Sequence, residues 1–137
     1  MTANDMDEWI SYTSATTIRW GMVVKASPTF NSGEKYVTPT TASTDIPLGV
    51  CMVTASPRGK PCPVAISGVV LVRCQSVTGT AGVPVVACAT SGEVRTSGLG
   101  PDTGATGKAY IVGILAENFS GHSAGDKVKV ILRPGRG

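Results

Sequence analysis

Short apolar runs, broken at near-regular intervals by glycine and proline, constrain this chain more than any other feature. Its 17 glycines and 9 prolines are spread along the whole sequence rather than gathered in one linker. Breakers spaced at roughly 8–12 residues leave little room for helices and give the pattern of an all-β sandwich or barrel. The runs read as strands over residues 17–25, 35–38, 48–55, 63–67, 69–75, 83–87, 93–96, 109–117 and 127–133. Gly68 between two of these runs predicts a hairpin, and the Thr90-Ser91-Gly92 segment predicts another.

Alternation with period two sharpens several of these strands. In the last run Val128, Val130 and Leu132 share one face, while Lys127, Lys129 and Arg133 share the other. In 69–75, Val70, Val72 and Cys74 oppose Leu71 and Arg73, so both faces are partly apolar. Such a strand calls for a cover on each side, and a neighbouring subunit can supply the second. Gly21 and Gly49 inside strand patterns predict bulges or bends, and Gly113 predicts close approach of another backbone. The best helix candidate is 6–13, with Asn4 or Asp5 as its cap, but little beyond Ile10 would hold it. The expected organisation is therefore an N-terminal arm over 1–17, mobile in the free protein, and a β-rich body over 18–137.

At 137 residues the chain suits one domain, and 42% hydrophobic residues suffice for a core. Charged residues are only 15%, below the usual quarter. A surface so poor in charge suits burial against other subunits. The net charge is +3, with Arg19, Lys25, Lys35, Arg58, Lys60, Arg73, Arg95 and Lys108 scattered along the chain. No clustered basic face is legible, which argues against direct nucleic-acid binding. Residues 1–17 carry Asp5, Asp7 and Glu8 and lack an apolar signal core. No run approaches the ~18 apolar residues of a membrane span. Synthesis in a reducing cytoplasm is expected, with Cys51, Cys62, Cys74 and Cys88 as free, buried thiols. Cys62 and Cys74 flank the Gly68 hairpin and are the pair that would meet if a disulfide formed.

Catalytic chemistry is hard to assemble. The single histidine, His122, sits in a Gly-His-Ser turn with no ligand cluster around it. Gly107-Lys108 has the look of a phosphate loop, but Asp102 stands where its first glycine belongs. Ala109 replaces the hydroxyl residue, and a strand follows where a helix is needed. The carboxylates Glu34, Asp45, Glu93, Asp102, Glu117 and Asp126 show no catalytic spacing. Aromatics are 5%, too few for a base-stacking surface. No catalytic, cofactor-binding or metal residues are assigned, no cofactor is expected, and the chain reads as a non-enzyme.

The order of several motifs carries more. Arg19-Trp20-Gly21 leads into Met22-Val23-Val24, and residues 45–50 read DIPLGV. Residues 59–68 alternate Val64 and Ile66 before a glycine, and 79–86 have the form Gly-x-x-Gly-x-Pro-Val-Val. Residues 111–117 read IVGILAE and 125–134 read GDKVKVILRP. This succession, over residues 18–134, resembles the capsid cement or head-decoration proteins of tailed phages, encoded near the major capsid gene. The resemblance implies a small β-barrel or β-tulip body and a homotrimer seated at three-fold positions on the outer capsid surface. It implies binding to the major capsid protein, bridging its subunits and stabilising the shell against internal DNA pressure, with no membrane partner. The leader, 1–17, departs from the short family members. Within and just after it, Trp9, Ile10, Tyr12 and Ile18 are the expected contacts with the capsid or an adjacent copy. Rival readings are another phage head or tail fibre module, or a small β-barrel module for carbohydrate or nucleic acid.

Overall fold

A computed structural model describes residues 5–27, 36–42, 45–53, 55–74, 81–88, 91–96, 110–118 and 126–136. Among them are eleven strands and no helix, so the chain is all-β. In chain order they are β1 (Asp5–Ser14), β2 (Ile18–Arg19), β3 (Val23–Ala26), β4 (Tyr36–Pro39), β5 (Pro47–Cys51) and β6 (Ala55–Ser56). There follow β7 (Pro61–Arg73), β8 (Pro84–Ala87), β9 (Val94–Thr96), β10 (Tyr110–Leu115) and β11 (Lys127–Arg136). Nine form one sheet in the order β1-β4-β3-β5-β7-β11-β10-β8-β9, and β2 pairs with β6. Because β1 also pairs with β7, the first five strands of that order close into a barrel. Beyond β7 the sheet curls a second time, and β9 meets the end of β7 through a parallel bridge between Cys74 and Val94.

Strand β7 is the element shared by both halves. Its first part lies between β1 and β5, and its second part pairs with β11. The handover is at Gly68, which faces Met6 of β1 and Leu132 of β11 and has a φ of 100°. The hairpin expected at Gly68 is therefore replaced by one continuous strand. A single left-handed residue bends and twists a strand without reversing it, and the register with β1 skips Ile66 beside it. Cys62 and Cys74 consequently lie toward opposite ends of β7 and in different cores, not across a hairpin.

The strands β3, β5 and β7 are covered on both faces by the protein itself. Val24, Cys51 and Val64 point into the first core; Val23, Val50 and Ala65 point into the second. Each fully buried valine contributes about 1.5–3 kcal/mol relative to exposure. Val128, Val130 and Leu132 are buried, as the alternation of β11 requires. The hairpin β8–β9 forms across the expected turn. An added Cβ at Gly49 would collide with the Ala65 carbonyl, and one at Gly113 with the Ile131 carbonyl. Both glycines sit at register shifts, as their place inside strand patterns predicts.

Other sequence expectations change as well. The run 17–25 is two strands, because a turn in which Met22 N–H donates to the Arg19 carbonyl at 3.1 Å separates β2 from β3. The run 48–55 likewise divides into β5 and β6. The weak helix candidate at 6–13 lies within β1, paired antiparallel to β7 at eight positions. Its Trp, Ile, Tyr and Thr side chains suit a pleated surface, and β7 supplies the partner that a local reading cannot see. Here the segment set apart as an arm contributes a barrel strand over Asp5–Ser14. The loop at 97–108, the turn at 121–125 with His122, and Glu34, Asp102 and Lys108 lie outside the described residues.

Candidate functional site

Strand β1 presents two unlike faces. Ser14 is fully buried and Tyr12 packs on the first core, so the face shared by Ile10, Tyr12 and Ser14 looks into the barrel. Ile10 is the member nearest the mouth and is 44% exposed. Leu48 and Ile66, both half-buried, pack on the same core. Trp9, Ser11 and Thr13 lie on the outer face, and Trp9 is 54% exposed. A tryptophan left this open, beside a register shift at Glu8, is available to a partner.

The four contact residues expected from sequence thus separate. Trp9 and Ile10 are surface residues, and Tyr12 is half-buried. Ile18 is fully buried, since β2 folds over the first barrel and the side chain fills its core, so it is withdrawn as a contact residue. Sequence reading missed Ile46, 60% exposed just before β5. Both β1 and β5 run antiparallel to β7, so Ile46 lies at the end of the barrel where β1 begins. Its only local signal is an isoleucine ahead of a proline in DIPLGV.

An apolar row continues onto the second half. Val69, Ile131, Ile114 and Pro84 pair in turn across β7, β11, β10 and β8. All four are half-buried, and Leu71 beside them pairs with exposed Lys129. This is the two-sided apolar character expected of 69–75.

The charged groups mostly brace loops. Asp45 accepts N–H bonds from Thr41 at 2.8 Å and Ala42 at 3.1 Å and pairs with Lys25 at 3.1 Å. Burial pushes its carboxyl up, but those bonds and Lys25 outweigh it and hold the group below the usual carboxylate range. Glu117 accepts the Lys129 N–H at 3.1 Å. Arg73 Nε donates to the Trp20 carbonyl at 3.1 Å, and Lys127 stands 5.3 Å from the centre of the Trp20 ring. Glu93 is buried with Oε1 unpartnered; burial raises its pKa, and Arg73 offsets part of the rise. Among the described residues no three His, Cys, Asp or Glu side chains gather as a metal site.

All four cysteines are buried, and none is in a disulfide. Cys51 and Cys62 share the first core, and Cys74 lies in the second. Burial, with Asp126 and Glu93 nearby, pushes the Cys74 thiol up to about 11. The Cys88 thiol donates to the Glu93 carbonyl at 3.4 Å.

No protein-family model matches the chain, and no curated protein matches its sequence. Its fold is similar to a solved structure, the N base of the head fiber gp8.5 of bacteriophage phi29. The TM-score is 0.64 at 13% identity, over 94% of this chain and 96% of that chain. The two thus share a fold along nearly the full length of each.

Proposed function

We propose that this protein is a structural component of a phage head, a cement protein that binds the outer capsid surface and bridges major capsid protein subunits. Fold likeness to a phage head fibre base over 94% of the chain is the observation that carries this reading. The motif order resembling the cement family supports it independently. Trp9 and Ile10, joined by Ile46, form the contact surface, and the chain acts as a homotrimer on the virion. Its work is adhesion rather than chemistry. Many identical copies on one shell add modest contacts into a large total, which opposes outward pressure from packed DNA.

The same fold likeness favours a second reading, in which the chain is the capsid-anchoring base of a fibre. Co-sedimentation with shells of the tailed-phage major capsid protein tests both. Cement predicts saturable binding and shells that resist heat or low salt better when decorated. A fibre base predicts binding without added shell stability. Failure to bind would count against both.

A further inference from the structure

The face of β7 that carries the first core continues past the barrel. Cys62 and Val64 point into that core and Ile66 packs on it, while Ala65 points into the second. Beyond Gly68 the alternation shifts by one residue, and Val70, Val72 and Cys74 point into the second core. Val69, Leu71 and Arg73 therefore stand on the face over which the first barrel sits. Val69 also pairs with Asp5, where β1 begins, so it lies at the barrel end that holds Ile46. The row Val69, Ile131, Ile114 and Pro84 thus starts at the barrel mouth and crosses four strands. Its chain neighbours Val130, Leu115 and Val85 point the other way, into the second core. Strands spaced at roughly 4.8 Å make the row about 14 Å long, the reach of about four extended residues.

Cations flank the row on one side. On the next rung exposed Lys129 pairs with Leu71, and on the rung after that Lys127 pairs with Arg73. Lys127 stands over the Trp20 ring and Arg73 Nε is held by the Trp20 carbonyl. The carboxylates around them are few or engaged. Glu117 accepts the Lys129 main-chain N–H, Glu93 is buried, and Asp126 stands just ahead of β11. Among the described residues the ion pair is Lys25 with Asp45, so the Lys129 ammonium has no carboxylate in reach.

We infer that the capsid contact extends from Ile10 and Ile46 along this row, and that it takes an acidic segment of the major capsid protein. This rests on the capsid reading above and names the chemistry of the partner. Two features select such an occupant. The row is continuous with Ile10 and Ile46, 44% and 60% exposed, so one apolar strip serves a single partner segment. Beside the strip, Lys127 and Arg73 face each other on neighbouring strands, where like charges repel. Carboxylates laid over them and over Lys129 remove that repulsion. A second copy of this chain, at net charge +3, suits the site less well. Ile131 and Ile114 form the desolvated centre of the contact. Lys129 at its rim acts on encounter rate and salt dependence.

The test is co-sedimentation of the full chain with shells of the tailed-phage major capsid protein, at low and at high salt. Lys129→Glu should weaken binding by about tenfold or more at low salt, and most of that gap should close at high salt. Lys129→Arg should bind as the parent does. Ile131→Thr keeps a β-branched side chain on β11 and should weaken binding by about threefold or more at either salt. Thermal melts confirm that the variants are folded, and exposed Lys129 keeps the question open to test if Ile131→Thr is not. Parent-like binding by a folded Lys129→Glu or Ile131→Thr would overturn the inference and leave the capsid reading standing. A parent chain that does not bind shells would overturn both. Sedimentation velocity of the free chain tests the other occupant. An oligomer that Ile131→Thr breaks up, with shell binding unchanged, would assign the row to a second copy and overturn the inference.

Discussion

The first barrel is the thinner of the two cores that meet along β7. Its buried cluster has six residues, Ile18, Val24, Val37, Cys51, Cys62 and Val64, edged by half-buried Tyr12, Met22, Leu48, Val53 and Ile66. Among the described residues the second has thirteen buried members, nine of them valines, with Met52 and Val83 half-buried against it. The first also holds the buried Ser14–Ser56 pair and opens at a mouth where Ile10 is exposed. Hydrophobic stabilisation scales with area removed from water, so the second half carries more of the folding free energy. The first half keeps exposed apolar surface at Ile10 and a buried hydroxyl pair beside its core. Under the proposed capsid role, the half with the larger core keeps the chain folded and the half with the smaller core meets the partner.

The largest test of that contrast is in the cores. Leu115→Ala should cost about 2–5 kcal/mol, since Leu115 is 1% exposed in the second core. Val37→Ala in the first core removes less volume, from the smaller buried cluster, and should cost less. Urea unfolding of both variants measures this. A larger loss at Val37 would invert the assignment of the two halves.

Next is the outer face of β1. Trp9→Ala should weaken capsid binding by about 2 kcal/mol or more, as at a hot spot. Its melting temperature should hardly change, because the ring is 54% exposed. Unchanged sedimentation with capsids would remove β1 from the contact surface.

Smaller still is the hydroxyl pair. Ser14→Ala leaves Ser56 without one buried partner, at a cost of about 1–3 kcal/mol toward the low end, because Ser56 retains the Pro61 carbonyl. A stabilised variant would show that the pair is a burden to the first core.

The least effect is expected at Glu93, in the second half. Burial raises its folded pKa, so the folded state binds its proton more tightly than the unfolded state does. Stability from this group is fullest below the unfolded value and falls as pH rises through the folded one. Glu93→Gln should therefore raise stability at neutral pH and lose that advantage in acid. Thermal melts across the acid range would show it, and a variant less stable than the parent at pH 7 would refute it.

Particular residues show what a local reading can reach. The alternation of Val128, Val130 and Leu132 defines β11, because one buried face and one wet face write a period of two directly into the chain. Gly113 was legible as a close approach and Gly49 as a bulge, since a strand rarely keeps a glycine without such a cause. Gly68 was not, because a left-handed residue serves a hairpin or a bulge equally well. The choice depends on whether β1 and β11 offer edges on either side. The same nonlocal pairing hid β1. Ile18 looked like a surface anchor until β2 and β6 paired and turned it inward. Trp9 and Ile10 were picked out by bulk in a polar segment, a signal that survives without knowledge of the fold. Cys51 and Cys62 carried no motif, because only the register of β5 on β7 brings them together.

The most direct test of the capsid role is an electron cryo-microscopy map of the tailed-phage particle that carries this protein. Under the proposed role, copies sit on the outer surface at three-fold positions, each with β1 turned toward major capsid protein and density joining Trp9 and Ile10 to it. Particles without copies on the outer capsid, or copies whose β1 faces open solvent, would contradict it.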